Sequence, residues 1–303
     1  MEVVWSNRLA RLAFIVVLSV AGVLGIGGCA ATSRPAPSER VSQPAEPIDA
    51  FGLLRAAADH EALYTLVGGL KPMSTGIWSG SFEVENPNLT ELSHVRAALT
   101  PLRNEIWYAD VQVFDNIHEG KRVVHAFVMH RAAFARMIDR FEPFWSTWGI
   151  TACTHPSEVI AVVDRMPKAD RWRGYGYLFG YPADAVDFFV EAGLAAEDGR
   201  EVGPGKDRMF IHIPTYAANT GRFTYAVSID HVPTSADKEL AEAAEQILAA
   251  YIDRRGKMRN IRTKISELRR LNRRFECAAK RAAGARDTRR TKAGSTDAVL
   301  DTR

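Results

Sequence analysis

Residues 105–129, EIWYADVQVFDNIHEGKRVVHAFVM, contain two runs of β-branched and aromatic residues on either side of a polar centre. Runs of this kind predict two antiparallel strands joined by a turn. A five-residue loop over residues 116–120 places Trp107, Ala109, Val111 and Val113 opposite Met129, Phe127, His125 and Val123. We expect this register because it makes one face of the hairpin apolar, and a one-residue slip would expose that face.

The other face of the same hairpin is mixed. It carries Asp110 and Gln112 together with Val124 and Val128, so we expect a second layer to cover part of it. On the first face His125 lies among valines, where a lone histidine is usually a hydrogen-bonded core residue and not a ligand.

The rest of the chain alternates between helical and strand-like patterns. Further strands are predicted in RMFIHIP (208–214) and GRFTYAVSID (221–230), and GYGYLFGYP (174–182) is predicted as a connection. Helical spacing occurs in residues 49–67, 90–103, 131–148, from 156 onwards, 183–195 and 236–283. Interspersed helices and antiparallel strands favour an α+β fold. We expect a small sheet of about four strands, several helices and a long C-terminal helix.

The N-terminus has the pattern of an export signal. Arg8 and Arg11 precede an uncharged run over residues 12–26, which ends in Ile26-Gly27-Gly28-Cys29. As a helix this run would be about 22 Å long, shorter than the roughly 30 Å hydrocarbon core of a membrane. A signal peptide is therefore favoured over an uncleaved membrane anchor.

The sequence around Cys29 resembles the lipobox of bacterial lipoproteins: an aliphatic residue, two small residues and a cysteine. The resemblance covers only residues 1–29. It implies that residues 1–28 are removed and that Cys29 carries a diacylglyceryl group, which anchors the chain to a membrane. Ala30, and not Asp, follows the cysteine, which favours the outer membrane, facing the periplasm, over the inner membrane.

The chain beyond the signal divides by composition. Residues 29–47 form a proline-rich tether, residues 48–235 an α+β domain, residues 236–283 a long basic helix, and residues 284–303 a disordered tail. The whole chain is 47% hydrophobic and 25% charged, which is typical of a globular protein. Cys153 and Cys277 are expected as two separate free thiols, although an oxidising compartment would also allow them to pair.

Candidate catalytic residues occur after the first predicted helix. His60, Lys71 and Ser74 flank Gly68-Gly69, and a serine beside a lysine or histidine is the arrangement of a hydrolase nucleophile. The alternative is a helix that ends at the two glycines, followed by a polar loop. The order of residues does not fit a phosphate-binding P-loop.

Two other segments have candidate ligand-binding residues. Trp172, Tyr175, Tyr177 and Tyr181 lie in a glycine-rich stretch, where they form either a stacking surface for a ring ligand or plain core packing. Cys153 and His155 are two residues apart, but no second pair completes a zinc site. We therefore expect neither a metal nor a cofactor.

Charge is concentrated at the C-terminus. Residues 254–303 contain 17 Lys/Arg against 5 Asp/Glu, a net charge of +12. Residues 240–275 carry apolar side chains at a 3.5-residue period, which predicts a buried seam. Arg254 and Gly256 interrupt this seam, so we expect a kink or break there. Arg269, Arg270, Arg273 and Arg274 lie off the seam as a candidate binding surface.

Residues 254–281 suit an anionic membrane surface, a partner helix, which includes a homodimer, or the protein's own acidic body. An exported protein meets little nucleic acid, so no nucleic-acid partner is expected. The leading hypothesis is a lipid-anchored envelope protein with a binding or scaffolding role. The alternative is a lipid-anchored hydrolase that uses His60, Lys71 and Ser74.

Overall fold

The structure, a computed structural model, describes residues 47–197, 208–220 and 223–296. Its elements in chain order are helices α1 (Ala50–Asp59) and α2 (Leu63–Leu66), strand β1 (Met73–Glu83), helix α3 (Thr90–Ala98), a 3₁₀ turn (Thr100–Leu102), strands β2 (Trp107–His118) and β3 (Lys121–His130), helices α4 (Arg131–Arg140), α5 (Glu142–Thr147), α6 (Pro156–Arg165), α7 (Lys168–Leu178) and α8 (Ala183–Glu197), strands β4 (Arg208–Ile213) and β5 (Phe223–Ser228), and helices α9 (Ser235–Arg255) and α10 (Ile261–Thr296). The signal, Cys29 and the tether up to residue 46 lie outside the described residues.

The fold is α+β, as expected, with two antiparallel sheets in the described part of the chain. The larger sheet has the order β1-β3-β2, and β4 pairs with β5 in a separate ribbon. Five strands are therefore present where about four were predicted. The additional strand, β1, has the sequence MSTGIWSGSFE, which is too rich in serine and glycine to show a strand pattern.

The predicted register of the central hairpin is wrong by one residue. Trp107 pairs with His130 and Val113 with Val124, and the ladder is irregular between Val113 and Ile117. The loop is not five residues long, because β2 continues to His118 and the chain reverses at Glu119 and Gly120. Both have positive φ (51° and 76°), as in the two-residue turns whose twist suits a hairpin.

The corrected register changes which face His125 occupies. It pairs with Gln112, on the face opposite to the one predicted. Its ring is buried edge-on against Phe114 at 4.9 Å, and its Nδ1 has no hydrogen-bond partner among the described residues. Burial lowers the pKa of His125 to about 4.

Both faces of the larger sheet are covered, so the domain has three layers. Trp107, Ala109 and Val128 face a core built with α1, α2, α3, α9 and α10. Phe127 and Met129 face a second core built with α4 to α8. The face with Asp110 and Gln112 is therefore covered by a second layer, as expected, but Val124 and Val128 lie on the opposite face, in the first core.

Residues 174–182 were predicted as a Gly/Tyr-rich connection, but residues 174–178 belong to helix α7. Its glycines allow close helix packing: a Cβ at Gly176 would lie 2.7 Å from Val186, and one at Gly174 would lie 3.3 Å from Val163. Tertiary packing has here outweighed the low helix propensity of glycine.

The long C-terminal helix is broken, as predicted, near Gly256. Helix α9 ends at Arg255 and α10 begins at Ile261. Helix α10 extends to Thr296, so residues 284–296 of the expected disordered tail are helical. The predicted seam faces the body, where Ile247, Tyr251 and Leu268 are fully buried in the first core.

Candidate functional site

Lys71 and Ser74, two of the predicted catalytic residues, meet at Glu61. Lys71 Nζ donates to Glu61 Oε2 at 2.7 Å. The Ser74 hydroxyl lies 2.8 Å from that of Thr65 and 3.5 Å from the Glu61 carbonyl oxygen. Lys71 is 1% exposed and Ser74 is 0% exposed, so neither side chain is open to solvent. His60 lies at the end of α1, where its backbone N–H caps the helix.

Lys71 is held in a cage of aromatic rings. Its Nζ lies 4.4 Å from the ring centre of Phe223, 5.3 Å from Phe179 and 5.6 Å from Tyr181. A buried ammonium is stabilised by such ring faces and by the carboxylate of Glu61. The Glu61 carboxylate and the three ring faces therefore compensate the positive charge of Lys71 within the core.

In the predicted aromatic ligand wall, Trp172, Tyr175 and Tyr177 are buried and Tyr181 is partly buried. Tyr175 is hydrogen-bonded to Gln112 Nε2 at 2.5 Å, and Tyr177 stacks on Phe141 with ring centres 3.8 Å apart. Trp172 packs against the backbone of Gly193, and Tyr181 belongs to the Lys71 cage. These contacts favour core packing, which is one of the two alternatives that the sequence leaves open.

The predicted arginine surface lies on the outer side of α10. Arg270, Arg273 and Arg274 are exposed and Arg269 is half-buried. Within the described residues, no carboxylate lies within ion-pair distance of Arg270, Arg273 or Arg274, whereas Arg269 Nη2 lies 3.8 Å from Glu105 Oε1. The exposed arginines therefore leave a surface of uncompensated positive charge.

An open groove runs beside this surface, between α10 and the 3₁₀ turn. Its volume is about 500 Å³, and it is lined by Pro101, Ile261, Arg262, Ile265, Ser266, Arg269 and Arg273. The groove thus combines three guanidinium groups with aliphatic side chains. Sequence reasoning did not single out Arg262. Its position seven residues before Arg269, two helical turns away, was the signal that could have found it.

The inner side of α10 is held to the body by a buried asparagine. Asn272 Oδ1 accepts from the Gly68 backbone N–H at 2.9 Å and lies 3.1 Å from His130 Nε2. His130 Nδ1 accepts from the Ala133 backbone N–H, so its Nε2 carries the proton and donates to Asn272. Gly68 has a φ of +74°, and Ile247 and Phe275 would contact any side chain there.

A polar cluster at Asp59 joins three helices. Tyr251 Oη donates to Asp59 Oδ1 at 2.7 Å, and Arg255 donates to both carboxylate oxygens at 2.8 Å. Burial raises the pKa of Asp59, but hydrogen bonds from Arg255 and Tyr251 outweigh it and lower the pKa. Lys264 Nζ donates to Tyr251 at 3.3 Å, and burial lowers the pKa of Lys264 to about 8. This cluster was also missed, because its members are distant in sequence.

A second cluster surrounds Asp237 at the start of α9. His231 Nε2 lies 2.8 Å from Asp237 Oδ2, Tyr225 Oη donates to Asp237 Oδ1 at 2.6 Å, and Thr234 completes a capping box. Burial raises the pKa of Asp237, and the hydrogen bonds overcome this effect and lower the pKa to about 2. The role that this geometry supports is the capping of α9.

Comparisons with protein-family models, with curated proteins and with solved structures found no match to this chain. Among the described residues, no three His, Cys, Asp or Glu side chains are placed to hold a metal ion. Cys153 and Cys277 are both free and exposed, as expected. No helix in the described ranges has the length and apolar character needed to cross a bilayer.

Proposed function

We propose that this protein is a lipid-anchored protein of the cell envelope that binds an anionic membrane surface through the outer side of α10. The lipid on Cys29 attaches the chain to the outer membrane, and the proline-rich residues 29–47 connect it to the domain. The arginine surface then determines which side of the domain faces the lipid. The role is one of binding and positioning.

The observation that carries this proposal is the contrast within α10. The inner side of the helix is packed on the body, while Arg270, Arg273 and Arg274 project into solvent and have no carboxylate partner in the part of the chain that the structure describes. Each exposed Lys or Arg near an anionic membrane contributes about 1 kcal/mol. A cluster of three or four such residues is enough to orient a domain that a lipid already holds near the surface.

The contacts of α10 favour a membrane over a partner helix or a homodimer. A second helix would pack on the apolar seam, but Ile247, Tyr251 and Leu268 of that seam are already buried against the protein's own body. Most of the α10 side that remains accessible is charged, and its accessible aliphatic side chains, Ile261 and Ile265, lie beside three arginines. The hydrolase alternative has no comparable support, because Ser74 and Lys71 are enclosed in the core.

The surface role is tested with the mature chain, residues 29–303, carrying Cys29→Ser so that it stays unacylated. We expect it to co-sediment with vesicles that contain acidic phospholipid and not with neutral vesicles. Binding should weaken as salt rises from about 0.05 to 0.5 M, because the Debye length falls from about 14 to about 4 Å. Replacing Arg269, Arg270, Arg273 and Arg274 by Gln should abolish most of the binding.

The matched control removes four positive charges from other exposed positions: Arg136, Arg140, Arg165 and Lys238, each replaced by Gln. Its net charge equals that of the first variant, so a general loss of attraction would affect both equally. Binding that ignores lipid charge, or an equal loss in the two variants, would remove the membrane-surface role of α10.

The lipid anchor has a separate test. In cells that are fed a labelled fatty acid, the wild-type chain should carry the label. The Cys29→Ser precursor should not, because the thiol is the group that is alkylated. The variant should also keep residues 1–28 and migrate as a heavier species. A labelled Cys29→Ser protein would contradict the assignment of a lipoprotein.

A further inference from the structure

The groove beside the arginine surface has two chemically different walls. Arg262, Ser266, Arg269 and Arg273 follow one another along a single side of α10, and together they span about 16 Å of helix. Ile261 and Ile265, with Pro101 of the 3₁₀ turn, form the aliphatic part. A ligand that fits both walls has an anionic group next to an apolar chain.

The arginines of the groove suit specific hydrogen bonds to a phosphoryl group, and not only non-specific attraction to an anionic surface. Guanidinium groups donate several hydrogen bonds in a planar fork that matches phosphate oxygens. Arg269 Nε is buried and has no hydrogen-bond partner among the described residues, while its Nη2 lies 3.8 Å from Glu105. Arg262 and Arg273 are exposed at the rim, and the Arg269 side chain is 36% exposed, so an anion in the groove can reach part of each guanidinium.

We infer that this groove binds the headgroup of a single acidic phospholipid, with the phosphate on Arg269 and Arg273, which are one helical turn apart, Arg262 further along the same wall, and the first methylenes of an acyl chain on Ile261 and Ile265. The inference rests on the proposed membrane-surface role and adds a specific site to it. A volume of about 500 Å³ lies within the range of small-molecule sites. Arg270 and Arg274 lie outside the groove lining, and their role stays that of general surface attraction.

The test uses a short-chain lipid that is monomeric in water, so that no bilayer is present. Dihexanoyl phosphatidylglycerol is titrated by calorimetry into the mature chain carrying Cys29→Ser. Glycerol 3-phosphate supplies the headgroup alone, and dihexanoyl phosphatidylcholine supplies the same chains without net charge. We expect the acidic lipid to bind about tenfold or more tightly than either control, because only this lipid uses both walls.

Two matched double variants separate the groove from the surface. Arg262→Gln with Arg273→Gln should weaken binding of the acidic lipid by about tenfold. Arg270→Gln with Arg274→Gln removes the same charge outside the groove and should change the affinity by less than about twofold. Glu105→Gln should tighten binding because it frees Arg269, whereas Glu85→Gln, at an exposed position elsewhere, should not.

The outcomes are distinguishable from those of the vesicle experiment. Equal loss of short-chain lipid binding in the two double variants, or no binding at all, overturns the groove even if acidic vesicles still bind. Equal affinity for glycerol 3-phosphate also overturns it, because the site would then be a phosphate site without a lipid component. Selective loss in the Arg262/Arg273 variant supports the groove even if vesicle binding shows no dependence on charge.

Discussion

The inner and outer sides of helix α10 have opposite environments along the same segment. On the inner side Leu268 and Asn272 are fully buried, and both lie against the body. On the outer side Arg270 and Arg273, only one or two residues away in sequence, are exposed and have no carboxylate partner among the described residues. Helix α10 is therefore attached to the body by its inner side, while its outer side faces solvent.

The two sides therefore contribute to different properties of the molecule. Buried apolar area and the hydrogen bonds that Asn272 Oδ1 accepts stabilise the docked helix. Exposed arginines contribute little to stability. Because the inner contacts suffice to place the helix, the outer charges are available for an anionic partner. Stability and binding should then respond separately to substitution.

The largest expected effect is on the inner side. Leu268→Ala removes a fully buried side chain and leaves a cavity between α10 and the first core. We expect the free energy of unfolding to fall by about 3 kcal/mol, within the usual range for such changes, measured by urea denaturation. Arg270→Ala, two residues further on, should change it by less than about 0.5 kcal/mol.

Leu268→Ala and Arg270→Ala can be compared directly, because both introduce alanine into the same helix. A small effect of Leu268→Ala would mean that α10 detaches from the body at little cost. A large effect of Arg270→Ala would mean that the outer side also holds the fold. Either result would contradict the division of roles between the two sides.

Acidification is expected to have a smaller effect on the free energy of unfolding, through His130, which is hydrogen-bonded to Asn272 of α10. Burial lowers the pKa of His130, and its contacts with Asn272 and Glu276 only partly oppose this effect. The unfolded chain therefore takes up a proton near pH 6.5 that the folded chain does not. The free energy of unfolding should be highest above pH 6.5 and should fall as the pH drops towards the folded pKa, by at most about 1.4 kcal/mol per unit.

This pH dependence is measured by urea denaturation at a series of pH values. His125 titrates in the same direction, so the His130→Gln variant should flatten the curve without abolishing its slope. His118→Gln, at the exposed end of the hairpin, is the matched control for the loss of one histidine. If His130→Gln kept the full wild-type slope, His130 would not be held neutral by its buried contacts.

The candidate site was only partly predictable from sequence. The charge on residues 254–281 and the seam period identified the outer arginines, because a helix of known period separates two sides without further information. Arg262 was missed because the groove that gives it a role has a second wall, Pro101, more than 150 residues away in sequence. Lys71 and Ser74 appeared available for catalysis because their burial depends on Glu61 and on rings from distant segments.

Local patterns in the sequence determined the helical seam, its break near Gly256 and the end of α2 before Gly68 and Gly69, because periodicity and glycine conformation act over a few residues. The tertiary structure alone decided three other features. The hairpin register depends on an irregular ladder and a two-residue turn. Strand β1 depends on its backbone hydrogen bonds to β3. The surface against which the seam packs was also undecided, because an apolar face specifies that it will be buried and not what will bury it.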